Sequence, residues 1–175
     1  MLIHTALDLF PHSLVGKAGE LAAACKARNL QVVTAESCTG GLIAACLTEV
    51  PGISEIYHGG FVTYANDAKM RDLSVAEDLL IAHGAVSAEV ARAMAEGACA
   101  RTGADIGIAV TGIAGPGGAT PQKPVGLVHI AVARKGAATR HERHVFPGDR
   151  LAVRLGAVEA ALGLALRAAT AEAAS

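Results

Sequence analysis

The chain has 175 residues, 52% hydrophobic but only 3% aromatic and without tryptophan, and its 15 basic and 16 acidic side chains leave a formal net charge of −1. That length accommodates one domain with a substantial core and is too short for two ordinary ones, so a single domain over residues 1–175 is expected. The balanced charge lacks the basic footprint of a dedicated nucleic-acid binder, and the composition calls for a core of Ala, Val, Leu and Ile in which helices and sheet approach closely.

Met1–Phe10 carries Asp8 and no Lys or Arg, so it does not read as a secretory leader. Leu14, Ala18, Leu21 and Cys25 recur at helical spacing and predict a helix over Ser13–Arg28, with Asn29 as its stop. Gln31–Ala35 is short and β-branched, the pattern of a buried strand. After the Glu36–Gly41 turn, a helix is expected over Leu42–Glu49, ended by Pro51-Gly52. Tyr57–Tyr64 reads as a strand in which Gly59-Gly60 marks a bulge or a close backbone approach. Asn66 is the expected cap of a short helix, Asp67–Leu73. Ser87 caps a longer one through Arg101, with Gly103 beyond its end.

Asp105–Val110 is a second buried strand, and Gly112–Pro124 a long Gly/Pro loop. Val125–Arg134 is a strand, Lys135-Gly136 a turn, and Thr139–Phe146 returns antiparallel. Asp149 caps a final helix with Leu151, Leu155, Val158, Leu162 and Leu166 as its apolar stripe, and Thr170–Ser175 are expected to fray. Mean hydropathy is +0.41, but Arg154 and Glu159 interrupt the most apolar stretch, so no membrane span is expected. Helices alternate with strands early and a hairpin follows, which argues for an α/β fold: a three-layer αβα sandwich with a mixed, mostly parallel sheet.

Four segments carry candidate chemistry. Ala35-Glu36-Ser37-Cys38-Thr39-Gly40-Gly41 follows a buried strand and opens a helix, where free N–H groups and the helix dipole favour a phosphate or an oxyanion. An ordinary helix start capped by Ser37 or Thr39 fits the same residues. Thr111-Gly112-Ile113-Ala114-Gly115-Pro116-Gly117-Gly118 leaves a second strand; its glycines suit close backbone approach to a ligand or a mobile surface loop. Tyr64 to Lys69 puts a lysine in the first turn of a helix, where the dipole disfavours a cation. That hints at a neutral amine, though a solvated lysine reads the same. Arg150 and Arg154 lie one turn apart near a helix start and suit either an anion or plain solvent exposure.

The sequence holds no GxxxxGK[ST], GxGxxG, GxSxG or HExxH pattern. His141 and His144, three apart on a predicted strand, point to opposite faces and cannot share a metal, so neither metal nor cofactor is expected. Cys25, Cys38, Cys46 and Cys99 form no CxxC pair and read as reduced thiols of a cytoplasmic protein.

AESCTGG (Ala35–Gly41), Tyr64 with Lys69, VTGIAGPGG (Val110–Gly118) with Lys123-Pro124-Val125-Gly126, and Phe146-Pro147-Gly148-Asp149-Arg150 together resemble the CinA C-terminal domain family, over about Leu14 to Leu166. The resemblance implies a stand-alone nicotinamide-nucleotide amidase of three-layer α/β fold. It implies Ser37 as nucleophile, with Lys69 and Tyr64 as the other catalytic residues, and Thr111 at the substrate. Glu36, Thr39, Gly40, Gly41, Gly112, Gly115 and Arg150 are the further expected substrate contacts, with backbone N–H groups around Thr39–Gly41 as the oxyanion hole. Lys69 is expected to take the Ser37 proton directly or through Tyr64. The expected partner is a small-molecule nucleotide, with no nucleic acid or membrane, in a homo-oligomer. Two rivals are a Cys38 nucleophile, its thiol acidified by the helix terminus, and a nucleotide-binding regulatory module that catalyses nothing.

Overall fold

The computed structural model describes residues 8–171, so most of the N-terminal stretch and residues 172–175 of the expected frayed tail lie outside the described residues. Five strands form one sheet in the order β2-β1-β3-β4-β5: β1 (Val32–Glu36), β2 (Tyr57–Val62), β3 (Ile106–Gly112), β4 (Leu127–Arg134) and β5 (Arg140–Val145). β1 pairs parallel with both β2 and β3, while β3–β4 and β4–β5 are antiparallel, so β4 alone runs against the other four. The sheet is mixed and mostly parallel in direction, as the sequence pattern requires.

Helices cover both faces. α1 (His12–Ala27), α2 (Leu42–Thr48) and α6 (Arg150–Thr170) pack with Val32, Ile106, Ile108, Val110, Val128 and Ile130 on one side. α3 (Asn66–Leu73), α4 (Glu77–His83) and α5 (Ala88–Thr102) pack with Val33, Ala35, Ala109 and Ala131 on the other. Alternate residues along each buried strand serve opposite cores, which is why β1 and β3 are apolar throughout. His141 and His144 divide in the same way: His141 meets His129, and His144 stacks on Phe146 with ring centroids 5.0 Å apart.

The expected punctuation is present at several ends. Ser87 Oγ accepts from Val90 N–H at 3.2 Å, and Asp149 Oδ1 from Ala152 N–H at 2.9 Å. Asn29, at φ +52, turns the chain after α1. Register slips between Val32 and Val33 opposite β2, and a Cβ at Gly60 would lie 2.3 Å from Thr34 Oγ1, so the Gly pair serves both a bulge and a close approach.

Four expectations need correction. Asn66 does not cap α3; Ala65 occupies that position, without a side-chain bond. α4 and a 3-10 turn at Ile53–Glu55 were not foreseen. On α6 the expected stripe holds at Val158 and Leu162 and fails at the exposed Leu151, and the buried face also takes in Val153, Ala157, Ala161, Leu164, Ala165 and Ala168, because close packing on β3 and β4 favours small residues.

Candidate active site

β1, β2 and β3 all finish at the carboxyl edge of the sheet, and β5 ends there too before feeding α6. Ligands of open α/β sheets bind along this edge. The edge brings together Ser37 after β1, Thr63 and Tyr64 after β2, the glycine-rich loop after β3, and Arg150 and Arg154 on the first turns of α6.

Glu36, the last residue of β1, is fully buried. Its carboxylate accepts N–H bonds from Gly41 at 3.1 Å, Ile43 at 3.0 Å and Ala44 at 2.8 Å. It therefore caps α2 from the preceding strand, a task the sequence assigned to Ser37 or Thr39. This corrects the expected substrate contacts of Glu36 and of the Gly41 N–H, both committed inside the protein. The Gly40 N–H is committed too, to the Ser37 carbonyl at 3.0 Å. The N–H groups of Cys38 and Thr39 donate to no other residue among the described residues, the Cys38 N–H meeting only its own thiol, so the free donors lie closer to Ser37 than expected.

Lys69 is the fourth residue of α3 and has no exposed surface. Its Nζ lies 3.1 Å from Ser37 Oγ, 2.7 Å from the Thr63 carbonyl and 3.3 Å from the Tyr64 carbonyl. In its neutral form the amine gives two N–H bonds to the two carbonyls and offers its lone pair to the Ser37 O–H. Burial lowers the Lys69 pKa from its ordinary 10.5, and no carboxylate of the described residues pairs with the amine to oppose that shift.

Tyr64 holds Lys69 through its backbone carbonyl, not its phenol. The residue is 61% exposed and its hydroxyl accepts from Arg150 Nη2 at 3.1 Å. Of the two expected arrangements, Lys69 against Ser37 directly or joined to it through Tyr64, the structure has the direct contact. Arg150 Nη1 donates to the Gly115 carbonyl at 2.8 Å, so this guanidinium ties the glycine-rich loop to Tyr64.

Thr111 is buried, and its hydroxyl donates to the Ala85 carbonyl at 2.8 Å. A Cβ at Gly112 would lie 2.7 Å from the Leu127 carbonyl, and one at Gly115, where φ is +83, 2.6 Å from Val125 Cγ1. Both glycines are needed for packing against the start of β4, a reason unrelated to any ligand. Burial pushes the Cys38 thiol up to about 11, opposite to the shift expected at a helix terminus, so no thiolate nucleophile stands there at neutral pH. All four cysteines are free.

Two contributors were not foreseen in these roles. Thr63 acts through a backbone carbonyl, which leaves no trace in a sequence. Arg154 donates from Nη2 to the Thr39 carbonyl at 2.8 Å, where its spacing from Arg150 suited either an anion or plain solvent exposure. Among the described residues no group of three or more His, Cys, Asp or Glu is placed to hold a metal ion, and no helix is long and apolar enough to cross a membrane.

A profile of the CinA C-terminal domain matches residues 16–169. The chain is 53% identical over 148 residues to a putative competence-damage inducible protein of Symbiobacterium thermophilum, covering 80% of this chain and 35% of that protein. It is 54% identical over 127 residues to a CinA-like protein of Akkermansia muciniphila, covering 73% and 31%. The chain thus spans about a third of the length of these curated relatives. Among solved structures it resembles the competence/damage inducible protein CihA of Agrobacterium tumefaciens, with a TM-score of 0.90, 43% identity, and coverage of 94% of this chain and 100% of that one. A CinA superfamily protein of Escherichia coli gives a TM-score of 0.84 at 37% identity, covering 95% and 99%.

Proposed function

The chain belongs to the CinA C-terminal domain family, and from that membership together with the Ser37–Lys69 contact we propose that it is an amidohydrolase converting nicotinamide mononucleotide to nicotinate mononucleotide and ammonia. The contact between Lys69 Nζ and Ser37 Oγ at 3.1 Å carries the reading. Ser37 attacks the carboxamide carbon while Lys69 takes its proton. The oxyanion forms against the free N–H groups of Cys38 and Thr39. Lys69 then returns the proton to the departing ammonia, leaving an acyl-enzyme at Ser37. Water, deprotonated by Lys69, releases the carboxylate product. No cofactor or metal enters these steps.

An ordinary lysine is protonated at neutral pH, and action there needs a shift of roughly three units, about 4 kcal/mol. Full burial without a paired carboxylate acts in that direction. The binding-only alternative, in which the same loops hold phosphate and catalyse nothing, leaves no task for a buried amine held against Ser37 and two carbonyls. A cytoplasmic setting accords with four free thiols, and assembly as a homo-oligomer belongs to the same proposal.

The deciding experiment supplies purified protein with nicotinamide mononucleotide or nicotinamide and measures ammonia. Release should be far faster from the mononucleotide. Equal kcat/KM for the two would remove the phosphoribosyl group from the transition state, and no release from either would leave the binding module standing.

A further inference from the structure

Arg154 takes no part in the proton transfer, yet it reaches a loop 115 positions away to donate to the Thr39 carbonyl. Its Nε is buried without a partner, and so is the Thr39 hydroxyl beside the same contact. Keeping such groups dry costs stability, so the contact calls for a return other than stability. We infer that Arg154 is a positioning residue that aims the Cys38 N–H at the oxyanion formed by Ser37.

The linkage runs through two rigid peptide units. The Thr39 carbonyl and the Gly40 N–H belong to one planar amide, so a carbonyl held by Arg154 fixes the direction of that N–H. The Gly40 N–H donates to the Ser37 carbonyl at 3.0 Å. That carbonyl shares the next plane with the Cys38 N–H, which points the opposite way and is free. The amide following a nucleophile is a recurrent oxyanion donor in other hydrolases. Gly40, at φ +61, gives the turn little stiffness of its own, so the hold must come from outside the loop. Glu36 secures the next peptide from beneath through Gly41.

The inference rests on the amidase reading, and two assays keep the two apart. Full-length wild type, Arg154→Lys and Arg154→Ala are compared for ammonia release from nicotinamide mononucleotide. They are also compared for labelling of Ser37 by a fluorophosphonate, in which an Oγ–P bond forms, fluoride leaves and Lys69 takes the proton. Arg154→Ala should lose about 10- to 100-fold in kcat, less than or equal to the loss of a whole oxyanion donor, with KM within about twofold. Labelling should slow in proportion. Arg154→Lys, which keeps a cationic donor on a shorter side chain without the planar fork, should fall between the two, and millimolar guanidinium should restore part of the activity of Arg154→Ala without affecting wild type.

Unchanged kcat and labelling in both variants overturn the inference, as does a raised KM at constant kcat, which would make Arg154 a substrate ligand. A lowered melting temperature with unaltered turnover per folded molecule would reduce it to a structural contact and overturn it equally. If wild type labels at Ser37 but releases no ammonia, the substrate assignment fails and the labelling rates alone decide the role of Arg154. If wild type does not label at all, the nucleophile is lost and this inference with it.

Discussion

Two loops leave the carboxyl edge of the sheet after adjacent parallel strands, Ser37–Gly41 after β1 and residues 113–124 after β3. Both are short on side-chain bulk and rich in glycine. Ser37, Cys38 and Thr39 are nonetheless buried, and the first loop is gripped by Glu36 through Gly41, by Lys69 at Ser37 and by Arg154 at Thr39. In the second, Pro116–Gln122 are exposed, and Arg150 holds only its beginning, at Gly115. Glycine content alone therefore says little about mobility. What distinguishes the loops is how many charged side chains grip them, and the tightly gripped loop is the one that carries the proposed nucleophile.

The largest effect should come from the hydroxyl within the gripped loop. Ser37→Ala should lower kcat by at least about a hundredfold with the fold and nucleotide binding nearly unchanged, while Cys38→Ala keeps substantial activity. A dead Cys38→Ala beside an active Ser37→Ala would move the chemistry one residue along.

Next comes Lys69. Arginine keeps the charge but does not deprotonate at usable pH, so Lys69→Arg should be nearly as inactive as Lys69→Ala; an active arginine variant would remove the base. The kcat profile of wild type should rise along a limb centred below 10.5, the ordinary lysine value from which burial lowers Lys69. The same shift has a thermodynamic sign. Between the lowered native pKa and the unfolded value of about 10.4 the unfolded chain holds the extra proton, so this group makes stability rise with pH across that window. Thermal melts at increasing pH should show the rise in wild type and its loss in Lys69→Met.

A smaller effect tests the grip itself. Glu36→Gln places an amide among three converging N–H donors and should cost roughly 2–3 kcal/mol, read as a melting temperature lower by roughly 5–10 °C. An unchanged melting temperature would mean the loop does not depend on that carboxylate. The open loop should tolerate change where the gripped one does not: Gly117, with nothing within 4 Å of an added Cβ, should accept alanine within about 0.5 kcal/mol. Gly112→Ala, at the end of β3 just before that loop and jammed against the Leu127 carbonyl, should cost about 1–3 kcal/mol. Equal effects at the two positions would show that packing against β4 is not what glycine serves there.

Much of the scaffold was legible in the chain. Buried strands announced themselves as short β-branched runs, and Ser87, Asp149, Asn29 and Gly103 marked helix ends because caps and left-handed stops are local devices that act within three or four residues. α4 escaped because Ala76 precedes it without a side-chain cap and Leu80 is its only buried residue. The alanines of the α6 face were missed because a search for large apolar residues overlooks alanine, the residue that close packing on the sheet selects.

The site divides along the same line. Sequence alone determined that Ser37, Lys69, the glycine-rich segment and Arg150 are present in this order, since residue identity and local spacing are all that such motifs require. Only the tertiary structure decided what each one touches. Ser37 and Lys69 are 32 positions apart, and Arg154 and Thr39 are 115 apart; their meetings exist only once three parallel strands end at one edge. The carbonyl of Thr63 and the free N–H of Cys38 belong to the backbone, which every residue carries alike. The state of a buried amine or thiol depends on the surrounding dielectric, and that environment forms only when the chain has closed around it.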